Sequence, residues 1–230
     1  MQHEIKYSPA FAMAELTLTP GESVNVEGGS MVGMSSNMKI STSLGGTRRG
    51  FFGRILAFFA ALIRKVFGGE TMFLNNYTPE GGPGTVLVAP ALTGQIIHYP
   101  IRSGQNLYIQ SSSFLASTPG IRIKTRWGGL KSLFGGEGLA LLYASGDGDL
   151  FVNSYGDIEE IDVNGEYVVD TGHVVAFEES LEWKVGKVGG LKSTLLSGEG
   201  LVSRFRGRGK LYIQTHNLGA IVQWLTPLLP

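Results

Sequence analysis

Three stretches of this chain repeat one pattern, and that repetition limits the possible folds more than any composition figure does. The first copy reads Val26-Glu27-Gly28-Gly29-Ser30-Met31-Val32-Gly33, the second Ile109-Gln110-Ser111-Ser112-Ser113-Phe114-Leu115-Ala116, and the third Val169-Asp170-Thr171-Gly172-His173-Val174-Val175-Ala176. The spacing between copies is kept downstream, where Met38-Lys39-Ile40, Ile121-Arg122-Ile123 and Leu181-Glu182-Trp183 each give an apolar, charged, apolar triplet. A further block repeats as Phe67-Gly68-Gly69-Glu70, Phe134-Gly135-Gly136-Glu137 and Leu196-Ser197-Gly198-Glu199. Behind it a Gly-x-Gly turn feeds an apolar run at Gly82 to Val88, Gly146 to Val152 and Gly207 to Ile213, and each unit closes on one more glycine, at Gly94, Gly156 and Gly219.

Short apolar runs bounded by Gly, Ser, Asn or Pro predict strands, and their close spacing predicts a sandwich or barrel. The expected fold is all-β: three tandem β-sandwich or double-stranded β-helix-like modules with pseudo-threefold symmetry. The modules span 1–98, 99–160 and 161–230 of a single compact body covering 1–230. A lone unit of about 60 residues would bury too little surface to fold well. Composition agrees, because 34 glycines in 230 residues with only 17% charged residues describe a turn-rich chain with a large core, which excludes disorder and coiled coil.

One segment breaks the pattern. Where copies two and three have short linkers, copy one carries an insert over 45–67, and its residues 51–67 predict an amphipathic helix. Phe51, Ile55, Phe58 and Leu62 form one stripe with Phe52 and Phe59 beside it, while Arg54, Arg64 and Lys65 fall on a narrow polar strip. The uninterrupted apolar core is too short to cross a bilayer. Burial against the body or a neighbouring subunit is the preferred reading, and a membrane-surface contact with the basic side chains on lipid phosphates is the second.

Familiar catalytic chemistry is missing from the sequence. There is no cysteine, so no thiolate nucleophile and no sulfur-ligated zinc. The four histidines, His3, His98, His173 and His216, form no ligand spacing, and no nucleophile elbow or phosphate loop occurs. The repeated Glu70, Glu137 and Glu199 read as a triplicated structural device in preference to a cation site. No catalytic, cofactor-binding or metal residue is therefore expected, and no enzyme. Arg204, Arg206 and Arg208 alternate at strand spacing and could meet nucleic acid or another subunit. Lys plus Arg equals Asp plus Glu at 19 each, so the subunit contact is preferred and nucleic acid is disfavoured.

The run Leu18-Thr19-Pro20-Gly21-Glu22-Ser23-Val24, the Glu27 to Met34 segment, the Gly-Gly-Glu block and Ala89-Pro90-Ala91-Leu92-Thr93-Gly94 together resemble the altered-inheritance-of-mitochondria (Aim) family over about residues 3 to 226. That resemblance implies a fold similar to the tryptophan RNA-binding attenuation protein, with three β modules per chain assembled as a trimer. It implies no catalytic residue, because none is established for the family. The expected function is a non-enzymatic oligomeric β-protein, a scaffold or binding module peripheral to membranes. The alternative is a ligand- or RNA-binding regulator like the attenuation protein; no motif identifies a small-molecule ligand. Met1 to Pro9 carries Glu4 and Lys6 and no apolar run, so the expected location is the cytoplasm, at the inner face of the membrane if the insert lies there.

Overall fold

Alternation decides the first strands. In β2 (Met13–Leu18) Ala14, Leu16 and Leu18 are buried while the residues between them stay half-exposed, and β7 (Gly84–Val88) buries Val86 and Val88 on the same period. The computed structural model describes residues 1–44, 73–127, 140–187 and 201–228. Over these the chain is all-β, with one short α-helix, α1 (Leu218–Leu225).

The remaining strands follow in chain order. Before the first gap lie β1 (Gln2–Lys6), β3 (Val24–Glu27), β4 (Met31–Met34) and β5 (Met38–Leu44). After it come β6 (Phe73–Pro79), β8 (Ile96–Ile101), β9 (Leu107–Gln110), β10 (Phe114–Ser117) and β11 (Ile121–Trp127). Then follow β12 (Ala140–Gly146), β13 (Gly148–Asn153), β14 (Ile158–Asp170), β15 (Val174–Glu178), β16 (Leu181–Lys187) and β17 (Leu201–Gln214).

Within each copy the antiparallel pairings correspond. The strand begun by the charged triplet pairs the next one, as β5 with β6, β11 with β12 and β16 with β17. That next strand also pairs the first strand of the copy, as β6 with β3, β12 with β9 and β17 with β14. The strand after the Ser or His turn pairs the run behind Gly-x-Gly, and each such pair bulges at one corresponding place: Met31/Gly33, Phe114/Ala116 and Val174/Ala176.

Three sheets result. One is four-stranded in the order β1-β2-β7-β4, and the second is six-stranded, β5-β6-β3-β10-β13-β8. The third runs β11-β12-β9-β15-β17-β14, with β16 also on β17. The second and third are joint products of neighbouring copies, through β3 with β10 and β9 with β15. The cores are shared the same way. Leu115 and Phe151 of copy two pack with Leu16, Val26 and Tyr77 of copy one, and Val175 and Tyr212 of copy three pack with Ile109 and Leu150 of copy two. A third core holds Phe177, Leu181, Phe205 and Leu211.

The sequence expectation differs from the structure at Gly207-Arg208-Gly209, read as a turn before a strand. β17 instead runs unbroken for 14 residues. Gly207 sits opposite Gly165 on β14, and both take positive φ, +128° and +116°. With no Cβ on either strand, the ladder twists through this point without ending. The expected module boundaries fall inside strands β8 and β14. The helix expected over 51–67, with Phe51, Phe52, Arg54, Ile55, Phe58, Phe59, Leu62, Arg64 and Lys65, lies outside the described residues, as do Glu70, Glu137 and Glu199.

Candidate docking surfaces

Helix α1 is fastened at its base and bare along its length. Asn217 caps it, its side-chain oxygen accepting from Gly219 N at 2.8 Å while its amide reaches Asp170 Oδ1 at 3.3 Å. Asp170 in turn accepts from Gly172 N at 2.8 Å, and Gln214 ties the knot by donating to Gly172 O and accepting from Tyr155 N, both at 2.9 Å. His173 Nδ1 lies 2.7 Å from Gln214 O. Beyond this polar base, Leu218, Val222, Leu225 and Leu228 are exposed, and Trp224 is 68% exposed. No Asp, Glu, Lys or Arg occurs after Lys210. Sequence reasoning missed this helix; its signal was the Asn217 cap ahead of an uncharged, mostly apolar octet.

The arginine row lies on β17, with Arg204, Arg206 and Arg208 outward and Phe205 fully buried between the first two. Arg206 donates to Glu166 Oε2 at 2.7 Å and Arg204 lies 3.6 Å from Glu166 Oε1. The Arg206 hydrogen bond, first, and the attraction of both guanidiniums hold the Glu166 carboxyl below its usual range. Two of the three cations are thus shared with one internal carboxylate, and the surface is less basic than the sequence alone implies. Arg122, Lys124 and Arg126 alternate in the same way along β11, where Arg126 sits 5.7 Å above the Tyr143 ring.

Two clusters of titratable groups bridge separate strands. His3 of β1 packs on His98 of β8 at 4.1 Å between ring centroids, and His98 Nε2 lies 2.8 Å from Asp149 Oδ1. Burial, chiefly, and the neighbouring His98 push the His3 imidazole down, against the pull of Asp149. In the second cluster Tyr99 and Tyr212 meet edge-on at 6.0 Å beside Glu178, which also accepts from Lys210 N at 2.9 Å. Burial first and Glu178 second push the Tyr99 phenol up to about 12. Burial and Glu160 move Tyr212 the same way. A raised phenol gives stability that is complete below the unfolded value of about 10 and is lost as pH climbs through the folded one. Stability is therefore expected to fall between about pH 10 and about pH 12. Denaturant melts across that range check it. Absorbance at 295 nm is expected to show tyrosines that ionise only on unfolding, and fewer of them in Tyr99→Phe.

Among the described residues no group of three or more His, Cys, Asp or Glu could hold a metal ion, and no helix is long and apolar enough to cross a membrane. Known proteins resemble the chain across its full length. It is 32% identical over 234 residues to an uncharacterized protein of Streptococcus pyogenes serotype M6, matching 100% of this chain and 92% of that protein. The X-ray crystal structure of a Streptococcus pyogenes protein superposes with a TM-score of 0.80 at 29% identity, covering 99% of each chain. Residues 3–216 match the family described as mitochondrial biogenesis AIM24. This chain therefore belongs to the AIM24 family.

Proposed function

We propose that the protein is a non-enzymatic, oligomeric β scaffold that works at a lipid surface, with α1 as one of its contacts. The observation that supports this reading is the helix with the turn that follows it: an anchored base, exposed apolar side chains that include Trp224 on the helix and Leu228 just after it, and no Asp, Glu, Lys or Arg from Leu211 onward. An eight-residue helix is about 12 Å long and cannot span a bilayer, but it can lie in the headgroup boundary with its indole at the interface. The basic residues Arg54, Arg64 and Lys65 of the insert would add attraction to anionic lipid.

Flotation with vesicles tests this and separates the two contacts. Binding to neutral phosphatidylcholine vesicles, insensitive to salt, is expected from α1, because the helix carries no charge. The double change Trp224→Ser with Leu228→Ser is expected to cut the floated fraction at least about fivefold, since two large side chains lose their apolar surface. Flotation that requires anionic lipid and collapses in salt would assign the contact to the insert instead. A protein that never floats refutes the lipid reading altogether.

A regulator that binds RNA on Arg204, Arg206 and Arg208 is the weaker reading, because Glu166 already engages two of those cations.

A further inference from the structure

Every copy presents its turn and the open end of its hairpin at the same end of the molecule. β10 lies on β3 with Ala116 opposite Val26, and β15 lies on β9 with Ala176 opposite Ile109, so the turns at 28–30, 111–113 and 171–173 stand side by side. The hairpins open there too, Leu44 opposite Phe73, Trp127 opposite Ala140 and Lys187 opposite Leu201. Helix α1 rises from this end, because its cap Asn217 is bonded to Asp170 beside the third turn.

The connection between β1 and β2 reaches the same end. Just beyond it Ala14 lies opposite Val88, the last residue of β7, and the following Ala89 N donates to Ser30 O at 2.9 Å in the first turn. Three further bonds carry the contact across to the helix. Ala12 N donates to Gly94 O at 3.1 Å, Gly156 N to Thr93 O at 3.0 Å and His216 N to Tyr155 O at 3.2 Å, and Asn217 follows His216. At one strand spacing per link, the connection and the helix base are no more than about 14 Å apart.

Two large rings stand out from this connection into solvent, Tyr7 at 70% and Phe11 at 71% exposed. Tyr7 is also the one non-glycine residue with positive φ among the described residues, 59°, a conformation that costs a bulky side chain roughly 1–2 kcal/mol. Single exposed apolar residues are ordinary, but these two share one end with the bare length of α1. Charge indicates the partner. Asp, Glu, Lys and Arg are absent from 7–14, from 81–101 and from 211–230, so this end offers little to an ionic surface. The Tyr7 phenol and the Trp224 indole each join an apolar body to a polar edge, which is the chemistry of side chains seated at a bilayer interface.

We infer that the Tyr7–Phe11 connection is a second lipid contact, entering the interface of a neutral bilayer in the same plane as α1. The inference rests on the lipid reading above and gives it an orientation. The end that carries the three turns faces the bilayer, and the connection from Arg102 to Asn106, at the far ends of β8 and β9, faces away.

The absence of cysteine makes a clean test. Ala10→Cys, Ala220→Cys and Ser103→Cys each replace an exposed residue and accept a polarity-sensitive fluorophore. With neutral phosphatidylcholine vesicles, emission is expected to shift blue and rise at least about twofold at positions 10 and 220, and to stay unchanged at 103. In unlabelled protein, Tyr7→Ser combined with Phe11→Ser is expected to cut the floated fraction at least about threefold with α1 intact. The circular dichroism spectrum should not change, because neither side chain is packed.

The contrary results separate the two readings. A response at 220 with none at 10 would refute the second contact and leave the helix as the lipid contact. A response at 10 with none at 220, or one at 103 equal to the others, would refute the shared plane. No response at any position, together with no flotation, would refute both readings. An oligomer that ignores vesicles but comes apart in native mass spectrometry on Phe11→Ser would assign this end to another copy of the chain, and so refute the lipid occupant.

Discussion

Phe177→Ala is expected to lower the unfolding free energy by about 4 kcal/mol, the cost of deleting a fully buried ring whose surroundings relax only in part. Phe177 is wholly enclosed, stacked on Tyr108 at 5.0 Å and 19°, edge-on to Phe205 at 5.0 Å and tilted against Trp183 at 5.6 Å. Offset and edge-on ring pairs add about 1 kcal/mol beyond burial, though such terms do not sum. The position matters as much as the ring. Phe177 lies on β15 between Tyr108 of copy two and Leu211 of β17, so the cavity opens at a junction of copies. Urea unfolding, followed by tryptophan fluorescence, measures the loss against a total of about 5–15 kcal/mol for an ordinary domain. Phe177→Leu, which keeps most of the volume, should cost clearly less. A loss under about 1 kcal/mol for the alanine variant would show that the copies are not held together by this core.

The second large effect comes from one added methyl group. Gly94→Ala is expected to cost about 3 kcal/mol through overpacking against backbone that cannot turn aside. Gly94 and Gly156 run side by side in a parallel bridge. A Cβ on Gly94 would sit 2.2 Å from Ser154 O and 2.7 Å from Gly156 O. The same place carries three main-chain hydrogen bonds, Ala12 N to Gly94 O, Gln95 N to Gly156 O and Gly156 N to Thr93 O, so relief by shifting one segment loosens the others. Gly33→Ala is the matched control. Its Cβ would meet only Leu87 Cδ1 at 3.9 Å, and alanine already occupies the corresponding Ala116 and Ala176. Thermal melts of the two variants side by side should separate by well over 5 °C; overlapping melts would mean the glycine pair is not tightly apposed.

The strands were readable because a half-buried strand writes its period directly into the chain, as in Ala14, Leu16 and Leu18, and because the bounding glycines mark where each run stops. The charged triplets fall at the starts of β5, β11 and β16. Three features were not readable, each for a physical reason. The unbroken path of β17 depends on Gly165, a residue 42 positions upstream of Gly207, so no local window contains the cause. Helix α1 turns Leu218, Val222, Trp224 and Leu225 outward, so the rule that an apolar stripe marks a buried face points the wrong way here. The carboxylate that holds Arg204 and Arg206 reaches them across the β14–β17 ladder, and only the register Glu166 opposite Arg206 discloses it. Charge counting along the sequence sees three unopposed arginines.

The placement of β17 sets an order on how the protein is made. β14 and β16 both find their partner in β17, and β15 shares it with β9. On a ribosome the first two copies can join through β3 and β10 as soon as β13 has emerged, but β14 and β16 must wait for the chain beyond Leu201. A translation product cut short before that point presents two orphan strands, and with them a marker by which cellular proteases can tell an unfinished molecule from a finished one.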